Sequence, residues 1–193
     1  MGLWQVLSGR SSAPRPQLDA LFGIPSAAIT LQTAMDFTPT GTGAVCYRKA
    51  EGPAFGDAEK RLVELLDSDE GPDVERVEDG FGFTWLIVRT VPPDPGSLVT
   101  DLHAVNTSLA GEGFAPGLLC SVAGFTDPSG RTLGLVYRYV AGNFYPFVPS
   151  GHETGDKTRD SLVEMQVRTL LQRELPIEPD LSKWMPLWGC PAL

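Results

Sequence analysis

The sequence predicts an α+β fold, with a mainly antiparallel sheet and helices packed on one face. Three observations carry this. Two strand-like apolar regions fold back on themselves, "VERVEDGFGFTWLIVRT" and "GLLCSVAGFTDPSGRTLGLVYRYVAGNFYPFV". Segments of helical periodicity stand before, between and after them: "FGDAEKRLVELLDSDEG", "SLVTDLHAVNTSL" and "DKTRDSLVEMQVRTLLQREL". The resulting order, helix–hairpin–helix–hairpin–helix, suits antiparallel pairing, whereas a doubly wound parallel sheet needs single strands between helices.

Each element has a local reason. Leu18, Leu21 and Phe22 suit a short helix ending at Gly23, and the run from Ile29 to Phe37 leans toward strand. "TPTGTG" reads as a turn before the strand "AVCYRK". In the first long helix Ala58, Leu62 and Leu65 share a face, with Val63 and Leu66 beside it. Asp79-Gly80 is a short hairpin signal. Beyond it Phe83, Trp85 and Ile87 face one way and Thr84, Leu86 and Val88 the other, so this strand belongs inside a sheet covered on both faces. In "SLVTDLHAVNTSL", Leu98, Leu102, Val105 and Leu109 fall within about 60° of the helix wheel, a packing stripe. Ser97 is its expected N-cap and Gly111 its C′ residue. Asp127-Pro128-Ser129-Gly130 fits a type I turn. The last helix turns Val163, Val167, Leu170 and Leu171 inward. Phe83, Trp85, Leu86, Ile87, Val122, Leu135 and Val136 are expected to be buried.

The 193 residues read as one domain, with residues 1–16 as an N-terminal appendage and residues 176–193 as a proline-punctuated extended tail docked on it. The appendage opens with "MGLWQVL", one turn of amphipathic helix, and continues into the flexible joint "SSAPRP". It has no long apolar run, so neither a signal peptide nor a span is expected. The formal net charge of −9 and the absence of a basic cluster argue against nucleic acid and against direct adsorption to anionic lipid. Cys46, Cys120 and Cys190 are odd in number and lack metal-type spacing, which suits a reducing cytosol.

Three patterns invite a chemical reading. His103 lies near Asp101 and Asn106, but Asp101 and His103 stand about 160° apart on one helix and cannot form a dyad. His103 and Asn106, three apart, can touch. Asp67, Asp69, Asp73, Glu75 and Glu78 occupy the ligand positions of an EF-hand loop, yet Pro72 sits where that loop needs a glycine-type turn. The "TGTG" motif lacks the following helix that a phosphate-cradling loop requires. No catalytic, cofactor or metal set is therefore expected. The candidate interaction residues are the aromatic strand positions Phe144, Tyr145 and Phe147, and Trp184, Met185 and Trp188 of the tail.

The segments "LVTDLHAVNTSL…LLCSVAGF", "FYPFVP" and "PDLSKWMPLWGCPAL", with "LDALFGIPSAAITL…GTGAVCYR" near the start, resemble the actinobacterial PspA-associated protein family PspAB over nearly the whole chain. The resemblance implies association with PspA, a peripheral membrane-stress protein, and supplies no catalytic residues. The element order is also similar to type III secretion chaperone-like and YbjN-like domains, a likeness of fold alone. Three functions follow as expectations. The first is a non-enzymatic adaptor or regulator in an envelope-stress system, cytoplasmic and held at the membrane through a protein partner. The second is a chaperone-like peptide-binding module, for which a homodimer is expected. The third is a small-ligand binder or enzyme built on His103, Arg138 or an acidic residue.

Overall fold

The computed structural model describes residues 17–68, 71–150 and 157–193. The N-terminal appendage, Asp69 of the acidic loop and most of the loop from Pro149 to Gly155 lie outside them. A 3-10 turn, Leu18–Gly23, leads directly into helix α1, Ile24–Met35. Strand β1, Thr38–Tyr47, is followed by α2, Pro53–Leu66. Strands β2, Glu75–Glu78, and β3, Thr84–Arg89, form a hairpin before α3, Pro95–Leu109. Strands β4, Leu118–Thr126, β5, Thr132–Arg138, and β6, Asn143–Phe147, come next. A two-residue ribbon, β7 Pro149–Ser150 with β8 Thr158–Arg159, precedes α4, Ser161–Leu171.

The six long strands make one antiparallel sheet in the order β2-β3-β1-β4-β5-β6. Strand alternation divides their side chains between two cores. Val45, Leu86, Val88, Ala123, Phe125, Leu135 and Tyr137 pack against the helices. Ala44, Cys46, Trp85, Ile87, Cys120, Val122 and Val136 face the other way, against Trp184, Cys190 and Ala192 of the tail. β3 is apolar on both faces because both are covered. The stripe of α3 lies flat on the sheet, with Leu98, Leu102, Val105 and Leu109 buried. Leu102→Ala is expected to cost roughly 2–4 kcal/mol, the transfer and cavity terms of a buried leucine; urea unfolding measures it, and a loss under about 1 kcal/mol contradicts the packing.

Several local expectations are corrected. Residues 29–35 are helix, not strand: Ile24, Ala27, Ala28 and Leu31 put a buried face at helical spacing, Pro25 opens the helix and Asp36 ends it at φ 58°. "TGTG" is no turn before a strand but lies within β1, where the register shifts between Pro39 and Gly43. Leu65 is exposed, and Phe55 takes the third buried place on α2 beside Ala58 and Leu62. The hairpin loop runs over Asp79–Phe83, with the positive φ at Gly82 rather than at Gly80. Phe83 is only half-buried there. Asp94, not Ser97, caps α3. Its Oδ1 accepts from the Gly96 N–H at 2.9 Å, its Oδ2 from the Ser97 hydroxyl at 2.6 Å, and Pro95 fits the first turn. The helix also runs on past Gly111 through a wider turn, and Gly113 takes the positive φ.

Candidate functional site: an apolar groove beside the tail

The tail is held to the sheet by a chain of polar contacts. Ile177 bridges Phe144 at the β6 edge, where the Phe144 N–H donates to Pro176 O at 2.8 Å and the Glu178 N–H to Phe144 O at 2.7 Å. The Glu178 carboxylate accepts from Arg138 and from the Asn143 amide. Burial alone would raise this carboxyl; the Asp180 N–H, the Asn143 amide and the Lys183 and Arg138 charges outweigh it and hold Glu178 below the usual carboxylate range. The Trp184 indole N–H donates to Glu178 O at 3.0 Å, the Tyr145 hydroxyl to Met185 O at 2.8 Å and Arg159 Nη1 to Trp184 O at 2.8 Å. Trp184 stacks on Tyr145 at 6.0 Å and Trp188 meets Phe147 edge-on at 5.0 Å. Farther along, the tail backbone crosses Gly124, and the Leu193 side chain lies over Gly134, its partner in register. A Cβ on Gly124 would stand 2.2 Å from Ala192 O, so the chain closes on the sheet only over glycine there.

The tail covers this face incompletely. Between its Met185–Trp188 segment and the β2–β3 loop lies an open groove of about 490 Å³. Its lining includes Trp85, Cys46, Cys120 and Tyr145, Phe81 and Phe83 from the hairpin loop, and Val140 and Ala141 from the β5–β6 turn. Phe81, Val140 and Met185 stand 75%, 59% and 62% exposed, so the rim is apolar and in water. The polar groups of the groove are already engaged. Asp79 accepts from the Trp85 indole at 3.0 Å and from the Phe81 and Phe83 N–H groups at 2.9 and 3.0 Å. These bonds outweigh burial and keep its carboxyl below the ordinary value. The Cys46 side chain and burial push the Cys120 thiol well above its usual value, and burial pushes Cys190 up to about 12. Both shifts disfavour the thiolate, the nucleophilic form of cysteine.

Of the six candidate interaction residues, five come together on this face. Tyr145, Phe147, Trp184 and Trp188 support the groove from below or beside it, and Met185 projects at its rim. Phe144 points to the helix side, its ring tilted against Tyr137 at 5.2 Å. Cys46, Phe81, Phe83 and Val140 escaped the sequence reading. A signal for them was Phe81, a large apolar residue in a hairpin loop. His103 lies elsewhere, beside Phe22 at 5.1 Å and with Nε2 3.9 Å from Asp19. Asn106 does not touch it: its amide donates to Leu102 O at 2.7 Å and to the Ser121 hydroxyl at 2.8 Å inside the core. His103→Ala is expected to change unfolding free energy by less than about 1 kcal/mol, as surface replacements do; thermal and urea melts check it, and a larger loss overturns this placement. Asp67 Oδ1 accepts from the Val74 N–H at 2.7 Å, and Glu75 pairs with Arg89 at 2.9 Å. Both groups of the acidic loop thus have protein partners.

The family model described as PspA associated protein B, PspAB, matches residues 1–192. The chain belongs to this family. The family's description associates it with PspA, which points to a protein partner. No curated protein and no solved structure matches the chain. Among the described residues of this PspAB member, no helix is long and apolar enough to cross a membrane.

Proposed function

We propose that the protein is a non-enzymatic adaptor of a PspA-type bacterial envelope-stress system, and that its groove takes an apolar segment of the PspA-type partner. In this reading the protein works in the cytoplasm and meets the membrane only through that partner. The observation that carries it is the groove: open, rimmed by exposed Phe81, Val140 and Met185, and lined by polar groups that already have partners. Such a surface gains by covering apolar area and has no unengaged charge to steer a polar substrate. The family's association with PspA supplies the class of partner.

The test is titration calorimetry of the purified chain against a PspA-type protein. Phe81→Asp and Met185→Asp place a charge on the rim without touching a buried side chain. Each is expected to weaken binding by about tenfold or more, with the melting temperature unchanged. Equal affinity of both variants and the unaltered chain, or no binding by any of them, overturns the proposal.

A further inference from the structure

Cys46, Cys120 and Cys190 are far apart in sequence and meet on one face of the sheet. Cys46 of β1 and Cys120 of β4 stand directly opposite each other in the antiparallel register, and both side chains turn to the tail side. Opposite residues on antiparallel strands have Cα atoms about 4.5–5.5 Å apart, inside the roughly 4.4–6.8 Å that a disulfide spans. Such a pair can close with little movement of the backbone. The register then passes from Cys46–Cys120 to Tyr47–Leu118, so Leu119 has no opposite residue. That irregularity leaves the ladder room to adjust beside the pair. Cys190 lies near both thiols. Its backbone is held in tail turns, its N–H on Leu187 O and its O taking the Leu193 N–H, each at 3.1 Å, so no strand register aims it at either cysteine. Cys46 and Cys120 are buried, yet both line the groove. An apolar groove admits a small uncharged reagent more readily than an ion.

We propose that Cys46 and Cys120 are a dithiol site that closes reversibly to a disulfide on reaction with a small uncharged disulfide, R–S–S–R. The thiolate of Cys120, the more exposed of the two, attacks one sulfur of the reagent; that S–S bond breaks and RS⁻ leaves with its electron pair. The Cys46 thiolate then attacks the Cys120 sulfur of the mixed disulfide and expels the second RS⁻. The two thiol protons pass to the two RS⁻ ions. The cysteines lose two electrons and two protons, and R–S–S–R becomes two RSH. The site rests on the register and the shared face, not on the groove's partner, and it gives the groove floor two covalent states. Its surroundings set the rate. The Cys46 side chain and burial hold the Cys120 thiol well above its usual value, so little thiolate exists at neutral pH. Closure is therefore slow near neutrality and quickens as pH rises. No stabilised thiolate opposes the disulfide, whereas a stabilised reduced form is what makes a disulfide strongly oxidising.

The test uses the full folded chain and hydroxyethyl disulfide as the reagent. Remaining thiols are alkylated in denaturant, and the links are read by non-reducing peptide mapping. The expected product is a monomer with one link, Cys46–Cys120, and with Cys190 alkylated. Its rate is expected to rise about tenfold per pH unit between neutral pH and about pH 9. Dithiothreitol is expected to return all three thiols. Cys46→Ala, which leaves Cys120 without an opposite thiol, is expected to stop at the Cys120 mixed disulfide. In urea, where no register selects among the thiols, all three pairings are expected. Three free thiols after treatment at high pH, a link from Cys190 to either residue, a link between two chains, or a mixed disulfide that persists in the unaltered chain overturns the site. So does a rate that pH leaves unchanged, or a Cys46–Cys120 link that dominates equally in urea.

Discussion

A chain ended after Leu181 is expected to melt about 10 °C or more below the full chain, or to be recovered as aggregate. The truncation removes Trp184, Cys190 and Ala192, all buried against the sheet, and half-buried Leu187 and Trp188 beside them. Each large side chain withdrawn from water contributes roughly 1.5–3 kcal/mol. It also bares Cys46, Trp85, Cys120, Val122 and Tyr145, which these residues cover. Their loss turns one face of a six-stranded sheet into an exposed apolar surface, the kind that associates. Differential scanning fluorimetry with size-exclusion chromatography measures the effect. A monomer with an unchanged melting temperature would mean that the tail contributes nothing to the fold.

Glu164→Ala is expected to destabilise by about 3 kcal/mol, the lower end for breaking a buried pair, because the Arg159 left behind is only partly buried. Glu164 Oε1 and Oε2 accept from Arg159 Nε at 2.9 and 2.8 Å, and Oε1 also accepts from the Val148 N–H at 2.9 Å. Burial pushes this carboxyl above its usual range, opposed by Val148 and Arg159. The pair therefore spends much of its attraction on desolvation, and its removal matters mainly through what is left behind. Arg159→Met with Glu164→Leu tests that. The double variant is expected to recover part of the loss, but not all, because Arg159 also holds Trp184 O and lies over the Phe147 ring at 5.3 Å. Chemical unfolding at neutral pH measures both. A loss under about 1 kcal/mol for Glu164→Ala would show the pair to be energetically idle.

The architecture was legible where periodicity is strong. β3 and α3 announce their burial through alternation and through a narrow stripe, and both lie as those patterns require. α1 was misread because the segment was taken from Ile29 onward. That cut removes Ile24, Ala27 and Ala28, three of the four buried positions that define its helical face. The Asp79-Gly80 dipeptide signals a hairpin and Gly111 a helix end, yet Gly82 and Gly113 take the left-handed backbone. The groove was legible only in part. Its floor comes from β1, β3, β4 and β6 and its wall from a tail with no period, so no linear pattern unites them. Gly124 and Gly134 were the missed clue. Glycine within an apolar strand marks where another part of the chain approaches closely, and here it is the tail, through the Ala192 backbone at Gly124 and the Leu193 side chain at Gly134.

That tail fixes the order in which the molecule can be completed. Its buried residues follow every strand along the chain, and they cover the face of the sheet opposite the one the helices cover. At roughly 5–20 residues per second on the ribosome, the sheet can pair and meet its helices while one face still waits for Trp184, Cys190 and Ala192. Synthesis therefore delivers Trp184, Cys190 and Ala192 after every strand they cover, and until they are laid down Cys46, Trp85, Cys120, Val122 and Tyr145 stand bare on the sheet.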